Sequence, residues 1–135
     1  MKKLLFIALF AALFACQKSE ITNGNPSLVK NVWVNDGWKG DTVIYRNQSD
    51  FEKDTGGYQF KKNGKLVSRQ NASFCGTPPI TYENYGGSWL QIAPDTLSIN
   101  AEYWGTGHNM SKELLTYKFY IISIDDNTLK LSYVK

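Results

Sequence analysis

Short strand-like runs separated by turn signals fill most of this chain, and this pattern limits its fold more than any other feature. No segment beyond the N-terminal region keeps a helical period. The strongest turn signal is Asn63-Gly64, a common short loop of β-hairpins, and Pro94-Asp95 and residues 125–127 give two more. We predict strands at 28–35, 42–46, 57–62, 65–71, 80–82, 89–93, 96–104, 114–124 and 128–134.

The lengths of the loops predict which residues face each other across three hairpins. We expect two-residue loops at Asn63-Gly64 and Pro94-Asp95, and a three-residue loop at 125–127 with Asn127 in the left-handed conformation. The expected cross-strand pairs are Phe60 with Val67, Leu90 with Ile99, Ile92 with Leu97, Ile121 with Leu131 and Phe119 with Tyr133.

Residues 97–103 alternate between apolar and polar side chains, so one face of that strand is expected to be exposed to solvent. Consecutive hairpins form an antiparallel meander, and closing the meander into a barrel removes its two exposed edges. The sequence therefore predicts an all-β fold, an antiparallel up-and-down β-barrel of about eight strands. The interior of such a barrel is either filled by side chains or holds one small ligand.

The N-terminus has the pattern of an export signal. Lys2 and Lys3 precede an apolar run over 4–14, which is too short to cross a bilayer. The stretch Leu13-Phe14-Ala15-Cys16 resembles the lipobox of bacterial lipoproteins. The resemblance implies cleavage before Cys16 and acylation of that residue. Acyl chains such as palmitate would then hold the protein on a membrane of the bacterial cell envelope, which we expect to be the outer membrane. The alternative is an ordinary secretion signal that happens to contain a cysteine.

Three regions follow from this interpretation: a signal peptide at 1–15, a lipidated cysteine with a polar tether at 16–27, and a barrel domain at 28–135. The formal net charge of +3 includes Lys2 and Lys3, so the domain itself is close to neutral. A near-neutral domain lacks the basic surface that nucleic-acid binding requires.

Residues that carry catalytic chemistry are sparse. His108 is the only histidine, and Cys75 has no partner cysteine if Cys16 is acylated. One histidine and one free cysteine make neither a typical zinc site nor a catalytic triad, so we expect no metal, no cofactor and no enzymatic activity. Cys75 is either buried and inert or exposed and reactive, and its neighbours favour the buried state.

Aromatic residues are the most abundant side chains that could bind an apolar ligand. Trp33 and Trp89 lie within predicted strands, where core packing is the favoured role. Trp38 and Trp104 border glycine-rich turns, where a role at the rim of the barrel is equally reasonable, and Tyr103 lies beside Trp104. These five residues are the candidate ligand-binding set.

Stretches near the start, in the middle and at the end of the chain are informative together: Asn31-Val32-Trp33, Cys75-Gly76-Thr77-Pro78-Pro79-Ile80-Thr81-Tyr82, Gly87-Ser88-Trp89 and Leu129-Lys130-Leu131. With these stretches, the chain resembles small bacterial lipoproteins that carry a lipocalin-like domain, over about 28–135. This resemblance implies a lipocalin-type barrel, which we expect to be monomeric and to bind a small apolar ligand. The alternative is a protein-interaction or inhibitor module whose barrel is filled. An apolar cavity of about 300 Å³ or more would favour the ligand carrier, and a packed interior would favour the interaction module.

Overall fold

The computed structural model describes residues 24–72, 80–104 and 112–135, and these residues form eight β-strands and no helix. Every neighbouring pair of strands is antiparallel, and the sheet closes on itself as a barrel. The predicted all-β, eight-stranded antiparallel barrel is confirmed, and it is consistent with a lipocalin-like barrel. The strands are β1 (Val32–Lys39), β2 (Thr42–Gln48), β3 (Gly57–Phe60), β4 (Lys65–Asn71), β5 (Tyr82–Ala93), β6 (Thr96–Trp104), β7 (Lys112–Ile124) and β8 (Thr128–Tyr133).

The order of strands around the barrel is β1-β2-β8-β7-β6-β5-β4-β3, and β3 pairs with β1 to close the ring. Strands β3 to β8 are successive neighbours, as in a meander. Strand β1 lies between β2 and β3 and pairs with both. Residues 49–56 must therefore cross over β1, and the order differs from a simple up-and-down meander at this crossover.

The crossover explains why β1 is buried on both faces. Trp33 points into the barrel, so Val32 and Val34 face outward, and yet both valines are buried. The backbone N–H of Asn35 donates to the carbonyl oxygen of Gly56 at 2.9 Å, which holds the end of the crossover against the strand. An uninterrupted Val-Trp-Val run is typical of a strand that is covered on both faces.

Two arginines attach the crossover to the barrel wall. Arg46 binds Glu52, with 2.6 Å between Nη2 and Oε2, and Asp36, with 3.2 Å between Nε and Oδ1. The hydrogen bond from Arg46 lowers the pKa of the Glu52 carboxyl. Arg69 donates from Nε to the backbone oxygen of Glu52 at 3.2 Å, and its guanidinium carbon lies 6.0 Å from the ring centroid of Phe51. The crossover is thus held by both charge and packing.

One end of the barrel, which we call the closed end, is capped by residues 24–31 and also carries the turns after β3, β5 and β7. Leu28 is fully buried in the interior cluster, and the indole N–H of Trp33 donates to its carbonyl oxygen at 3.0 Å. The start of the first predicted strand is therefore a cap and not a strand. The buried interior cluster comprises Leu28, Trp33, Val43, Tyr45, Tyr58, Phe60, Leu66, Trp89, Leu97, Ile99, Ala101, Phe119, Leu129 and Leu131.

The hairpin of β7 and β8 has the predicted pairs, although its loop differs from the prediction. Next to the loop the pairing is one residue out of the predicted register, since Ile124 pairs with Leu129 and the N–H of Asp125 donates to the Thr128 carbonyl oxygen at 2.9 Å. A bulge at Ile122 restores the predicted register further along the strands. Asn127 is not left-handed, since no non-glycine residue in the described ranges has a positive φ. The Asp125 carboxylate stabilises the loop instead, because it accepts hydrogen bonds from two backbone N–H groups. The confirmed pairs are Ile121 with Leu131 and Phe119 with Tyr133.

The hairpin of β3 and β4 has a longer loop than predicted and a different register. The N–H of Gly64 donates to the Lys61 carbonyl oxygen at 3.0 Å, and Gly64 is left-handed, with φ of 77°. This geometry is that of a three-residue loop with glycine at its single left-handed position. Phe60 consequently pairs with Leu66 and not with Val67, which places both bulky side chains inside the barrel.

In the hairpin of β5 and β6, a bulge at Ile92 shifts the predicted register by one residue. Trp89, and not Leu90, faces Ile99. The predicted pairs of Leu90 with Ile99 and of Ile92 with Leu97 are therefore wrong. The bulge turns Trp89, the largest side chain available here, into the core and leaves Leu90 and Ile92 on the outer surface.

Gly86 and Gly87 lie in the middle of the long strand β5, between the strands predicted at 80–82 and 89–93. Two separately predicted strands are joined here. A Cβ atom on Gly87 would collide with the backbone oxygen of Asn100 on β6, whereas one on Gly86 would meet open space. Gly87 is thus required for the close approach of two strands and not for a turn.

Candidate functional site

Four tyrosines from four strands meet inside the barrel, toward the end opposite the closed end. We call this end the mouth; it carries the turn between β1 and β2 and the C-terminal end of β4. Tyr45 and Tyr58 belong to the buried interior cluster, and Tyr103 and Tyr117 pack against it. Their inward direction follows from strand alternation, since Tyr58 lies two residues before buried Phe60. The register of the barrel, and not proximity in sequence, brings the four rings together.

The four phenols influence one another electrostatically, and we call them the tyrosine network. A charge on Tyr45 would raise the pKa of Tyr58, and a charge on Tyr58 or Tyr117 would raise the pKa of Tyr103. The ring centroids of Tyr45 and Tyr58 are 5.6 Å apart, as are those of Tyr103 and Tyr117. Because β3 and β6 are separated by two strands on the ring, the network crosses the interior of the barrel.

Burial disfavours the ionised form of three of these phenols. Desolvation is the main cause that raises the pKa of Tyr45, Tyr58 and Tyr103, and charges on neighbouring phenols would raise it further. A neutral phenol both donates and accepts a hydrogen bond, and its ring offers an apolar face. Such a lining suits an uncharged molecule with one or more polar atoms, and burying an unpaired charge there would be costly.

An aromatic pair forms part of the rim of the mouth. The rings of Trp38 and Tyr133 are stacked, with centroids 6.0 Å apart and an interplanar angle of 11°. Trp38 is 58% exposed and Tyr133 is 44% exposed. Tyr133 also contacts Tyr117 and Phe119 at centroid distances of 6.2 and 4.7 Å. The aromatic surface therefore continues from solvent at Trp38 into the barrel interior.

A polar groove of about 360 Å³ adjoins the mouth, between the crossover and the ends of β4 and β5. Thr55 lines it, and its Oγ1 is buried without a hydrogen-bond partner among the described residues. A buried hydroxyl in this position can bind a polar group that enters the groove, a water molecule included. Gln70 donates to the Ser68 hydroxyl at 2.7 Å and to the backbone oxygen of Glu102 at 3.2 Å. The lining residues are Asn35, Asp54, Thr55, Gly56, Gln70, Asn71 and Tyr82.

The five candidate ligand-binding residues lie in different parts of the barrel. Trp33 and Trp89 are buried in the interior cluster, and the indole of Trp89 donates to the Lys61 backbone oxygen at 2.9 Å. Trp38 lies at the rim, and Tyr103 belongs to the tyrosine network. The backbone of Trp104 pairs with Lys112 at the end of β6, while its side chain lies outside the described residues.

Tyr45, Tyr58, Tyr117 and Tyr133 complete the site, although the sequence analysis did not single them out. A signal for them is present in the sequence, since each lies an even number of residues from a core residue of its predicted strand and therefore on the inward face. Tyr45 lies two residues after Val43, for example, and Tyr133 was already expected to pair with Phe119. Identifying the inward-facing residues of several strands together could have predicted that these tyrosines converge.

Several expectations concern residues outside the described ranges, namely those for Cys16, Cys75 and His108. Within the described ranges, no three histidine, cysteine or carboxylate side chains are grouped so that they could hold a metal ion. The same ranges contain no helix long and apolar enough to cross a bilayer. Comparison with protein-family models, with curated proteins and with solved structures finds no match to this chain.

Proposed function

We propose that this protein is a lipid-anchored, lipocalin-like binding protein of the bacterial cell envelope, without enzymatic activity. It takes a small, uncharged, largely apolar molecule with a polar end at its mouth. The observation that carries this proposal is the convergence of four tyrosine rings in the barrel interior, near a polar groove that contains the unpaired hydroxyl of Thr55. The groove is open to solvent, mainly polar and about 360 Å³ in volume, so it can receive a polar group but is not an apolar interior cavity.

The two parts of the site suit the two parts of such a ligand. The rings of Trp38 and Tyr133 offer an apolar surface at the entrance, and transfer of apolar surface onto them from water is favourable. Thr55 and the tyrosine hydroxyls offer donors and acceptors to a ligand hydroxyl or carbonyl group. Acylation at Cys16, if it occurs as the lipobox resemblance implies, keeps the binding domain at the membrane.

Binding assays with a small panel test this proposal. Retinol, oleic acid and protoporphyrin are titrated into the protein, and intrinsic tryptophan fluorescence is recorded. Retinol, which is uncharged and has one hydroxyl group, should bind best. Thr55→Val should weaken binding of retinol while leaving the fold intact, because valine matches threonine in shape but cannot hydrogen-bond. Saturable binding that Thr55→Val leaves unchanged would contradict the assignment of the groove.

The alternative is a protein-interaction module with a filled barrel, and one observation favours it. Large rings already pack against one another inside the barrel, with 5.3 Å between the centroids of Phe60 and Trp89 and 5.9 Å between those of Tyr58 and Phe60. If no member of the panel binds in a saturable way, this alternative replaces the ligand-binding proposal.

A further inference from the structure

Apolar side chains are grouped on the outer surface of the barrel, near the closed end. Leu90 and Ile92 on β5 and Tyr120 and Ile122 on β7 are between 44% and 57% exposed. We call these four residues the outer patch. Strand β6 lies between β5 and β7 and presents the small side chains of Thr96 and Ser98 on the same outer face. The four apolar residues therefore belong to one continuous surface.

The N-terminal segment of the chain reaches the barrel beside this patch. An open groove of about 720 Å³ is lined by residues 24–26 together with 91–94, which include Ile92. The N–H of Asn25 donates to the Gln91 side-chain oxygen at 2.6 Å and so fixes the segment there. A chain spans at most about 3.5 Å per residue, so Gly24 lies within about 28 Å of Cys16 in any conformation.

The charges around the patch match an anionic surface. The exposed lysines at the closed end and beside the patch outnumber the aspartates of the same region. Among the described residues, Lys30 alone of this group has an ion-pair partner, with 3.0 Å between its Nζ and Asp126 Oδ1. The lysines are Lys30, Lys61, Lys62, Lys65, Lys118 and Lys130. The aspartates are Asp50, which follows the end of β2 at the closed end, Asp95, Asp125 and Asp126.

We propose that the outer patch docks on the anionic lipid surface that holds acylated Cys16. The inference rests on the anchoring proposed above. Ile92, Ile122 and Leu90 enter the boundary between headgroups and acyl chains, while Tyr120 places its ring there and its hydroxyl among the headgroups. The lysines contact anionic headgroups. The mouth, at the other end of the barrel, then opens away from the bilayer.

Brominated lipids test this contact, because bromine quenches tryptophan only at close range. Ile92→Trp and Ile122→Trp are prepared in the full-length acylated protein, with Leu114→Trp as the matched control. Leu114 is 66% exposed on the outer face of the same strand as Ile122, about 26 Å away toward the mouth. Each protein is reconstituted in equimolar phosphatidylcholine and phosphatidylglycerol, with and without bromine on the phosphatidylcholine acyl chains.

Docking predicts that tryptophan at positions 92 and 122 is quenched by brominated lipid at least about twofold more than tryptophan at 114. Replacing phosphatidylglycerol with phosphatidylcholine should reduce the difference, because the lysines then lose their partners. Equal quenching at 92, 114 and 122 overturns the proposal. If positions 92 and 122 are shielded from aqueous acrylamide but not quenched by bromine, a protein covers the patch, either a second copy or a partner, and lipid docking is wrong.

Flotation of the same vesicles separates this inference from the proposed anchoring. Protein that floats with the vesicles, without bromine quenching at 92 or 122, is anchored but not docked, so the docking inference alone is wrong. Protein that does not float is neither anchored nor docked, and both proposals are overturned.

Discussion

Trp38 stacks on Tyr133, with a centroid distance of 6.0 Å and an interplanar angle of 11°, although both rings are well exposed. Trp38 comes from the end of β1 and Tyr133 from the end of β8, two strands that do not pair because β2 lies between them. The contact therefore spans β2 at the rim of the mouth. Exposed aromatic surface held in a fixed orientation is suited to receive a flat or apolar group.

Removing the partner of Trp38 should change its environment. Tyr133→Leu should shift the tryptophan emission to longer wavelength, because Trp38 then lies more freely in water. Tyr120→Leu is the matched control: Tyr120 is also 44% exposed, but it has no ring partner within the described residues. Fluorescence spectra of the two variants check the prediction, and an equal response in both would contradict the stacked pair.

Gly64 should not accept a β-branched residue. Its φ of 77° is left-handed, so Gly64→Val should destabilise the protein by about 1–3 kcal/mol. Gly64→Asn should cost less, since asparagine tolerates this conformation. Urea denaturation midpoints measure both effects, and a valine variant as stable as the asparagine variant would show that the loop has another conformation.

Two adjacent glycines should respond very differently to alanine. Gly87→Ala should be strongly destabilising, because its Cβ would meet the Asn100 carbonyl oxygen on the neighbouring strand. Gly86→Ala, one residue away on the same strand, should be neutral or slightly stabilising, since its Cβ meets open space. Thermal unfolding of the pair measures the difference. Equal melting temperatures would mean that β5 and β6 are not in the observed register.

The buried tyrosines should make the protein sensitive to alkali. In the unfolded chain, Tyr58 ionises near its ordinary pKa of 10.0, whereas in the barrel burial raises that pKa well above this value. The resulting stability is fully present below pH 10 and is lost as pH rises from there toward the pKa in the barrel. The loss is about 1.4 kcal/mol per pH unit for each such tyrosine.

Urea midpoints at about pH 8 and about pH 11 measure this sensitivity. Tyr58→Phe removes one titrating group and should therefore lose less stability than the parent between the two pH values. Tyr120→Phe, on the outer surface, should lose as much as the parent. If all three proteins lose stability in parallel, Tyr58 ionises in the barrel as it does in the unfolded chain.

Anchoring at Cys16 remains a prediction from the lipobox resemblance. Cys16→Ser should leave an uncut precursor or a secreted form without acyl chains. Mass spectrometry of the parent should show a mature chain that begins at an acylated Cys16. An unmodified Cys16 in the parent would contradict the prediction.

Much of the barrel could be predicted from the sequence because its strands are local features. Alternation at residues 97–103 and the turn signals located most strands within a few residues. The crossover over β1 could not be predicted, because it depends on which distant strand pairs with β1. The bulge at Ile92 could not be predicted either, because Trp89 and Leu90 are both apolar and either side chain could have faced the core.

The candidate site was less predictable than the fold. Trp38 and Tyr103 were chosen from their local sequence, and both contribute to the mouth. Tyr45, Tyr58 and Tyr117 were missed because their convergence requires the register of several strands at once. A slip of one residue in any strand would turn its tyrosine outward.

Retinol binding by the parent protein and by two phenylalanine variants tests the central claim most directly. Tyr58→Phe keeps the ring but removes the hydroxyl of a buried tyrosine in the barrel interior, whereas Tyr120→Phe removes a hydroxyl from the outer surface. We predict saturable binding at one site in the parent, about tenfold weaker binding for Tyr58→Phe, and unchanged binding for Tyr120→Phe. No saturable binding by the parent, or equal affinities for the parent and both variants, would contradict a ligand site at the tyrosine-lined mouth.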